Sequence, residues 1–515
     1  MARPPKPRLL VFIVAYNAEK TITDVVRRIP GELADLYDFE VLIIDDASQD
    51  STFLRGLRMK QAADLPFPLH VLFNPVNLGY GGNQKVGFQY AIEKGFDFVA
   101  LLHGDGQYAP ECLPTLVEPL RRGEASAVFG SRMMTRMGAL RGGMPLYKFA
   151  GNRILTWVQN RLLRSHLSEF HSGYRVYAVR ALQAIPFERN SNGFDFDTEI
   201  IIQLRIARLP VRELPIPTYY GDEICHVNGL RYAWNVVAAT LKARLQELSL
   251  FYDRRFDCAP AAAASPYVPK FEYASPHSMA LDRIPAGSRV MDLGCAGGYM
   301  GAALKSRKQC SVSGVDIAAP AAGSLDEFQV HDLNAGPPRL SPNRYDFVLM
   351  LDVIEHLYRP EAFLEQLRRE LAHSPETEVL LSTANIGFLV NRLMLLAGQF
   401  NYGKRGILDL THTRLFTFAS LRRALRQAGF EILETRGVPG PFPLALGDNL
   451  LSRALLALNR LFIRLAPGLF SYQMFLRVKA LPSLESLLRV SEEQSGIRAS
   501  RIESSGVDDG VFLRR

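Results

Sequence analysis

Glu40–Thr52, EVLIIDDASQDST, decides the fold of the N-terminal half. An apolar, β-branched run passes directly into two acids and a string of short polar residues. That pattern is a buried strand, a turn, and a helix start with good capping residues. It recurs on either side. Leu9–Ala15 leads into Tyr16-Asn17, and His70–Phe73 precedes NLGYGGNQK (77–85). Phe98–Leu102 leads into HGDGQYAPE (103–111), and Ala127–Phe129 into Gly130-Ser131-Arg132. Strands alternating with helix-like stretches imply an α/β domain with a largely parallel sheet.

In such sheets ligands bind beyond the carboxyl ends of the strands. Ala15-Tyr16-Asn17, Asp45-Asp46 and Asp105-Gly106-Gln107 are therefore expected around one crevice. Carboxylates accept two hydrogen bonds each and suit a base edge or ribose hydroxyls. The plainer reading of Asp45-Asp46 is a turn and cap. An acid beside glycines at a strand end also suits Mg2+ or Mn2+ bound together with phosphate oxygens, with a tight turn as the alternative. Lys85 is expected to meet a phosphate, unless the glycine-rich loop before it is only a helix start.

The uncharged, proline-containing CAPAAAASPYVP (258–269) breaks the alternation, and a second α/β pattern follows. The expected division is a first domain over 1–250, a linker over 251–275, a second domain over 276–480 and a weakly ordered tail over 481–515. In the second domain, RVMDLGCAGGY (289–299) reads as a strand, a glycine loop and a helix start. A strand ending at Asp316 follows nineteen residues after Gly297. That interval suits an acid reaching ribose hydroxyls in a nucleotide-binding βαβ unit, and the loop lacks the GxGxxG spacing of a dinucleotide site.

The 515 residues carry 60 Lys and Arg against 52 Asp and Glu, a net charge of +8 spread without a dense basic run. This argues against nucleic acid and suits anionic small ligands or a membrane surface. Cys112, Cys225, Cys258, Cys295 and Cys310 form no CxxC pair, so neither a disulfide framework nor structural zinc is expected. A reduced, cytoplasmic setting fits. No apolar run reaches the length of about 18 residues that spans a bilayer. The basic-then-apolar start, Met1–Lys20, lacks a cleavage pattern and reads as a first strand.

In succession, VAYNAEKTI, IIDDASQDST, NLGYGGNQKVGFQYA, HGDGQYAPE, FGSRM, HSGYRVY and FDFDTEI resemble family 2 glycosyltransferases over about residues 8–240. The likeness is closest to the dolichyl-phosphate mannosyltransferase and polyprenyl-phosphate sugar transferase branch. It implies a GT-A fold, a nucleotide-sugar donor and inversion at the anomeric carbon. It further implies nucleoside binding by Asp45 and Asp46, a metal at Asp105, and a diphosphate or metal contact at Gln107. His103 stands where the family's first metal-motif acid is expected. Arg132, and after it Arg153 and Arg175, are the expected partners of an acceptor phosphate. Asp195 and Asp197 are the expected bases should the acceptor be a sugar hydroxyl; the plainer reading makes them helix N-terminal acids.

DLGCAGG, VDI, HDLN and LDVIEHL resemble class I S-adenosylmethionine-dependent methyltransferases over about 275–480, a Rossmann-like fold. Ala296 replaces a usual glycine. The likeness implies that Asp292, or the backbone of Gly294, Cys295 and Gly297, holds the amino-acid end of S-adenosylmethionine. Asp316 would bind the ribose and Asp332 the adenine edge, with Asp352 beside the sulfonium. His356 and His412 are candidate bases for an oxygen nucleophile, with structural histidines as the plainer reading. Leucines and arginines over Asn449–Arg464 form a basic amphipathic helix that faces either another domain or an anionic membrane.

The expectation is a bifunctional enzyme. One half transfers a sugar to a polyprenyl phosphate or envelope glycan, and the other methylates a related acceptor, with peripheral contact at the inner face of the cell membrane. Its rivals are a hydroxyl-acceptor transferase joined to a methyltransferase for another step, and a scaffold with a decayed transferase site.

Overall fold

The computed structural model describes residues 5–62, 64–135, 138–218, 229–247, 252–258, 271, 273–442, 447, 449–482, 488 and 494–497. Most of the expected linker and tail lie outside these residues. The chain divides into two compact units, Met1–Ala264 and Ser265–Arg515. Residues 252–258 pack into the first: Phe256 is in its core, and Arg255 pairs with Glu199 and Asp253.

The first unit contains β1 (Arg8–Ala15), β2 (Asp38–Asp45), β3 (Leu69–Phe73), β4 (Phe98–His103), β5 (Ala127–Ser131), β6 (Arg175–Ala178) and β7 (Val211–Pro215). They form one sheet in the order β3-β2-β1-β4-β6-β5-β7. β1, RLLVFIVA, lies between β2 and β4 and is buried along most of its length, so it needs no alternation of polar residues. β6 runs antiparallel to both β4 and β5. Its four residues, RVYA, are too few to show a periodicity; the other six strands run one way, so the sheet is largely parallel as the sequence suggested, with β6 as the exception. The register pairs Ala15 with Asp45 and Val14 with His103, which brings the polar turns after β1, β2 and β4 to one edge.

The second unit contains β8 (Arg289–Leu293), β9 (Ser311–Asp316), β10 (Glu327–Val330), β11 (Phe347–Leu351), β12 (Glu378–Ala384), β13 (Phe430–Val438) and β14 (Gln473–Ala480). Their order is β10-β9-β8-β11-β12-β14-β13, with β14 antiparallel to both neighbours. Leu293 pairs with Val315, and Leu351 with Ser382. The glycine loop, Asp316 and Asp352 therefore share one carboxyl edge. Among the described residues, no helix is long and apolar enough to cross a membrane.

Candidate active sites

Asp45 ends β2 and is 1% exposed. Its Oδ1 accepts the Ser48 amide at 3.0 Å, while its Oδ2 is buried without a hydrogen-bond partner among the described residues. Burial pushes the Asp45 carboxyl up from its ordinary value. An acceptor held dry in this way fits a ligand N–H or O–H. Asn17, at φ 51°, ties the two neighbouring turns together: its amide donates to Ser48 Oγ at 2.8 Å, and its side chain accepts from Gln49 at 2.9 Å. Tyr16 beside it is exposed.

Asp46 does not share that role. Its Oδ1 accepts from Asn74 Nδ2 at 2.8 Å and from the Leu78 amide at 2.9 Å, and its Oδ2 accepts from the Gly79 amide at 2.9 Å. The carboxylate thus shapes the 74–79 loop. Lys85 is also engaged within the protein. Its ammonium donates to the Asn190 carbonyl and, at 2.8 Å, to Asn192 Oδ1, so it braces a loop. The glycines before it serve the same packing: a Cβ on Gly81 would lie 2.6 Å from the Ser191 carbonyl oxygen.

Asp105 follows β4, and its Oδ1 accepts the Gln107 amide at 3.0 Å. The expected partnership of His103 with Asp105 in metal binding does not hold for His103 Nε2. That atom is 3.1 Å from the Tyr80 hydroxyl, which itself donates to Asp197 Oδ2 at 3.0 Å. A hydroxyl has one proton, so Nε2 carries its own and donates to Tyr80. Burial lowers the His103 pKa and favours the neutral ring. Gly173 is required here, because a Cβ would stand 2.5 Å from the His103 ring. Among the described residues no group of three or more His, Cys, Asp or Glu could hold a metal. The donor set fits a cation shared between Asp105 and oxygens brought by the ligand, not a prebuilt protein cage.

The anionic and cationic candidates separate by burial. Asp197 is 5% exposed and bound by Tyr80 and, at 3.3 Å, by Gln84 Nε2, so it is no free base. Asp195, one residue before the helix Phe196–Ile206, remains half-buried. Arg175 is 1% exposed, and its three nitrogens donate to the carbonyls of Ser172, Asp197 and Phe170 at 2.8, 2.8 and 2.9 Å. It holds the core together and cannot touch an acceptor. Arg132 is buried against Glu169, which accepts its backbone amide at 2.7 Å and its Nε at 3.0 Å. Its charge is matched inside the protein. Of the three arginines only Arg153 is exposed, on the helix Leu146–Leu163.

In the second unit, the Ala296 amide donates to Asp316 Oδ2 at 2.8 Å, and Asp316 Oδ1 accepts from the Ala318 amide at 3.1 Å. Gly294 and Gly298 have positive φ, and so does Ala296, at 46°. A Cβ at Gly297 would meet nothing within 4 Å, so the loop is open at this position. Asp292 is buried, and burial followed by the charge of Asp316 pushes its carboxyl up to about 7. Cys295 is buried beneath the loop. Asp332 is exposed and caps the next turn through the Asn334 amide at 2.9 Å.

Asp352 follows β11 at φ 56°, a left-handed conformation that a side chain disfavours. Ser382 Oγ at 2.6 Å and Gln473 Nε2 at 2.9 Å hold its carboxylate. Glu355, given no role in the sequence reading, is 2% exposed, with Oε2 unpartnered among the described residues. Burial and then the Asp352 charge push it up to about 8. Its backbone carbonyl accepts the amides of Thr413 and Arg414 at 2.8 and 3.1 Å, which draws the 407–414 segment onto the site. His356 and His412 consequently meet with ring centroids 4.8 Å apart. His412 Nδ1 lies 2.9 Å from the Ile407 carbonyl and His356 Nδ1 lies 3.2 Å from that of Thr411. Each Nδ1 carries a proton, and in the neutral ring each Nε2 keeps a lone pair. Burial lowers the His412 pKa.

The signal for Glu355 and Tyr80 lay inside motifs already singled out. Gln473 has no local signal, because only the antiparallel insertion of β14 brings it to Asp352.

The chain holds two α/β units, each with acidic residues at the carboxyl edge of its sheet. Residues 10–185 match the family model for glycosyl transferase family 2, and residues 270–435 match that for a methyltransferase domain. The chain carries a glycosyltransferase domain and a methyltransferase domain. It is 29% identical to the undecaprenyl-phosphate mannosyltransferase of Micrococcus luteus over 42% of this chain and 84% of that protein. It is 26% identical to a UDP-N-acetylglucosamine–dolichyl-phosphate N-acetylglucosaminyltransferase of Methanococcus voltae over 42% of this chain and 86% of that one. Its second half is 28% identical to the ubiquinone biosynthesis O-methyltransferase of Paracidovorax citrulli, over 30% of this chain and 67% of that protein.

Proposed function

We propose that the first unit moves a sugar from a nucleoside-diphosphate donor to a polyprenyl phosphate, and that the second uses S-adenosylmethionine to methylate a related acceptor in envelope glycan or glycolipid synthesis. The observation that carries the first half is Asp45: a dry carboxylate oxygen without a partner among the described residues, at the same sheet edge as Asp105. Two relatives whose names specify undecaprenyl phosphate and dolichyl phosphate support the acceptor class.

Asp45 accepts a base or ribose proton, and Asn17 keeps the β1 and β2 turns in register around it. Asp105 holds the cation side of the diphosphate. When bound, Mg2+ or Mn2+ supplies positive charge to the departing diphosphate. A lipid phosphate is already anionic, so no base is required, which agrees with the sequestration of Asp197. Arg153 is the exposed cation for that phosphate. Both tryptophans of the chain, Trp157 and Trp234, are exposed on the packed helices Leu146–Leu163 and Gly229–Glu247, which suits peripheral contact with a membrane interface.

In the second unit the 294–298 loop and Asp316 hold the nucleoside and amino-acid ends of S-adenosylmethionine, which supplies the methyl group when bound. Asp352 is fixed by Ser382 and Gln473, and Asp332 is the exposed acid for the adenine edge. Nε2 of His356 or His412 takes the proton of an oxygen nucleophile. The two domains act from the units described above, with 252–258 belonging to the first of them.

The test is a panel of UDP- and GDP-sugars with a short polyprenyl phosphate. Label transferred to lipid and released by mild acid supports the phosphate acceptor. Acid-stable label on a glycan supports the hydroxyl acceptor, and no transfer from any donor supports the scaffold.

A further inference from the structure

We infer that the second unit carries a docking site for a phosphorylated lipid, with the phosphate between Arg392 and Arg422 and the chain along two leucine-rich helices. The inference rests on the methyltransferase reading and names the class of its methyl acceptor.

A cavity of about 400 Å³ is lined by Arg392, Thr417, Phe418, Arg422, Gly437 and Gly468, among others. Arg392 follows β12, and Gly437 lies near the end of β13. Both strands are antiparallel to β14 and so run the same way. The cavity is therefore at the carboxyl edge of the sheet, as are the glycine loop and Asp352. Arg392 Nε is anchored on the Gly387 carbonyl at 2.7 Å and Arg422 Nε on that of Phe418 at 3.1 Å. Among the described residues, neither guanidinium forms an ion pair. Two fixed guanidiniums that lack a carboxylate suit a phosphate, which accepts from both.

What surrounds the cavity separates a lipid phosphate from a free one. Arg392 belongs to the helix Leu389–Leu396, LVNRLMLL, which buries none of its side chains; Leu393, Leu395 and Leu396 are exposed. Pro467 and Gly468, at the cavity wall, directly follow the helix Leu450–Leu465, where Leu450, Leu458, Leu461 and Leu465 are exposed. Neither helix contains an acid, and the second adds Arg453, Arg460 and Arg464. Exposed leucines among arginines, contiguous with an anion pocket, match an acyl or prenyl chain below a phosphate.

Hydrogen–deuterium exchange of the full chain tests this, because it resolves the second unit from the glycosyltransferase unit. Vesicles of phosphatidylcholine containing a long-chain prenyl monophosphate are expected to protect peptides spanning 389–396, 417–422 and 465–470; phosphatidylcholine alone is not. The R392Q/R422Q double variant loses this protection and keeps any protection in the first unit. The pair Leu395→Glu and Leu396→Glu loses it too. Equal protection by inorganic phosphate, by plain phosphatidylcholine, or in the R392Q/R422Q variant overturns the proposal, as does protection that rises with protein concentration without lipid. Calorimetry with S-adenosylmethionine separates the two readings: an unaltered protein that fails to bind it removes the methyltransferase reading while the exchange result stands by itself.

Discussion

The Tyr80 hydroxyl donates to Asp197 Oδ2 at 3.0 Å and accepts from His103 Nε2 at 3.1 Å. The histidine at the metal-motif position is thereby joined through Tyr80 to Asp197. Tyr80→Phe leaves a buried imidazole N–H and one carboxylate oxygen short of a partner. We expect a loss of about 1–3 kcal/mol in stability by chemical denaturation. An unchanged midpoint would show that the relay contributes nothing.

Ala296 sits in the left-handed region at φ 46°, where a glycine is unstrained. Ala296→Gly removes that strain and adds freedom to the unfolded chain. The net gain is expected to be a few tenths of a kcal/mol to about 1 kcal/mol. Thermal melting reads it, and a lower melting temperature contradicts the assignment.

Glu355 is held protonated up to about 8, first by burial and then by Asp352. Its folded pKa lies above the unfolded value of about 4.3, so the folded state binds the extra proton between those limits. Its contribution is fully present below the unfolded value and is lost as pH rises toward about 8. Glu355→Gln is expected to flatten that decline. Denaturation midpoints followed across this window check it; an equally steep fall in the variant would place the titration elsewhere.

His412 keeps its Nε2 lone pair because Nδ1 faces the Ile407 carbonyl at 2.9 Å. If this nitrogen accepts the nucleophile's proton, His412→Gln lowers methyl transfer by roughly 10²–10⁴-fold with S-adenosylmethionine affinity preserved. A similar rate with equal affinity would assign the proton to His356 or to solvent.

The placement of the candidate residues is legible in the sequence where chemistry and strand end coincide. Asp45, Asp105, Asp316 and Asp352 each end or follow a strand, so the run of apolar residues before them already sets their position at a carboxyl edge. The surroundings of Asp46, Lys85, Arg132 and Arg175 are not legible in the same way. Each has the residue type a ligand site needs, yet each is held by a residue well separated in sequence: Asp46 by Gly79, Lys85 by Asn192, Arg132 by Glu169 and Arg175 by Asp197.

By itself the sequence determined that there are two α/β domains, which strands carry the polar turns, and where glycine permits a backbone to bend. Those properties are local, because hydrophobic periodicity and φ preference act over a few residues. Only the tertiary structure decided which charges are free. A carboxylate or guanidinium in a dry interior must find a partner, and that partner is chosen by how antiparallel β6 and β14 enter their sheets and by which loops then pack together. The pairing withdrew Asp197 and Arg175 from the cleft, left Asp45 Oδ2 unpartnered there, and set Arg392 and Arg422 at one cavity.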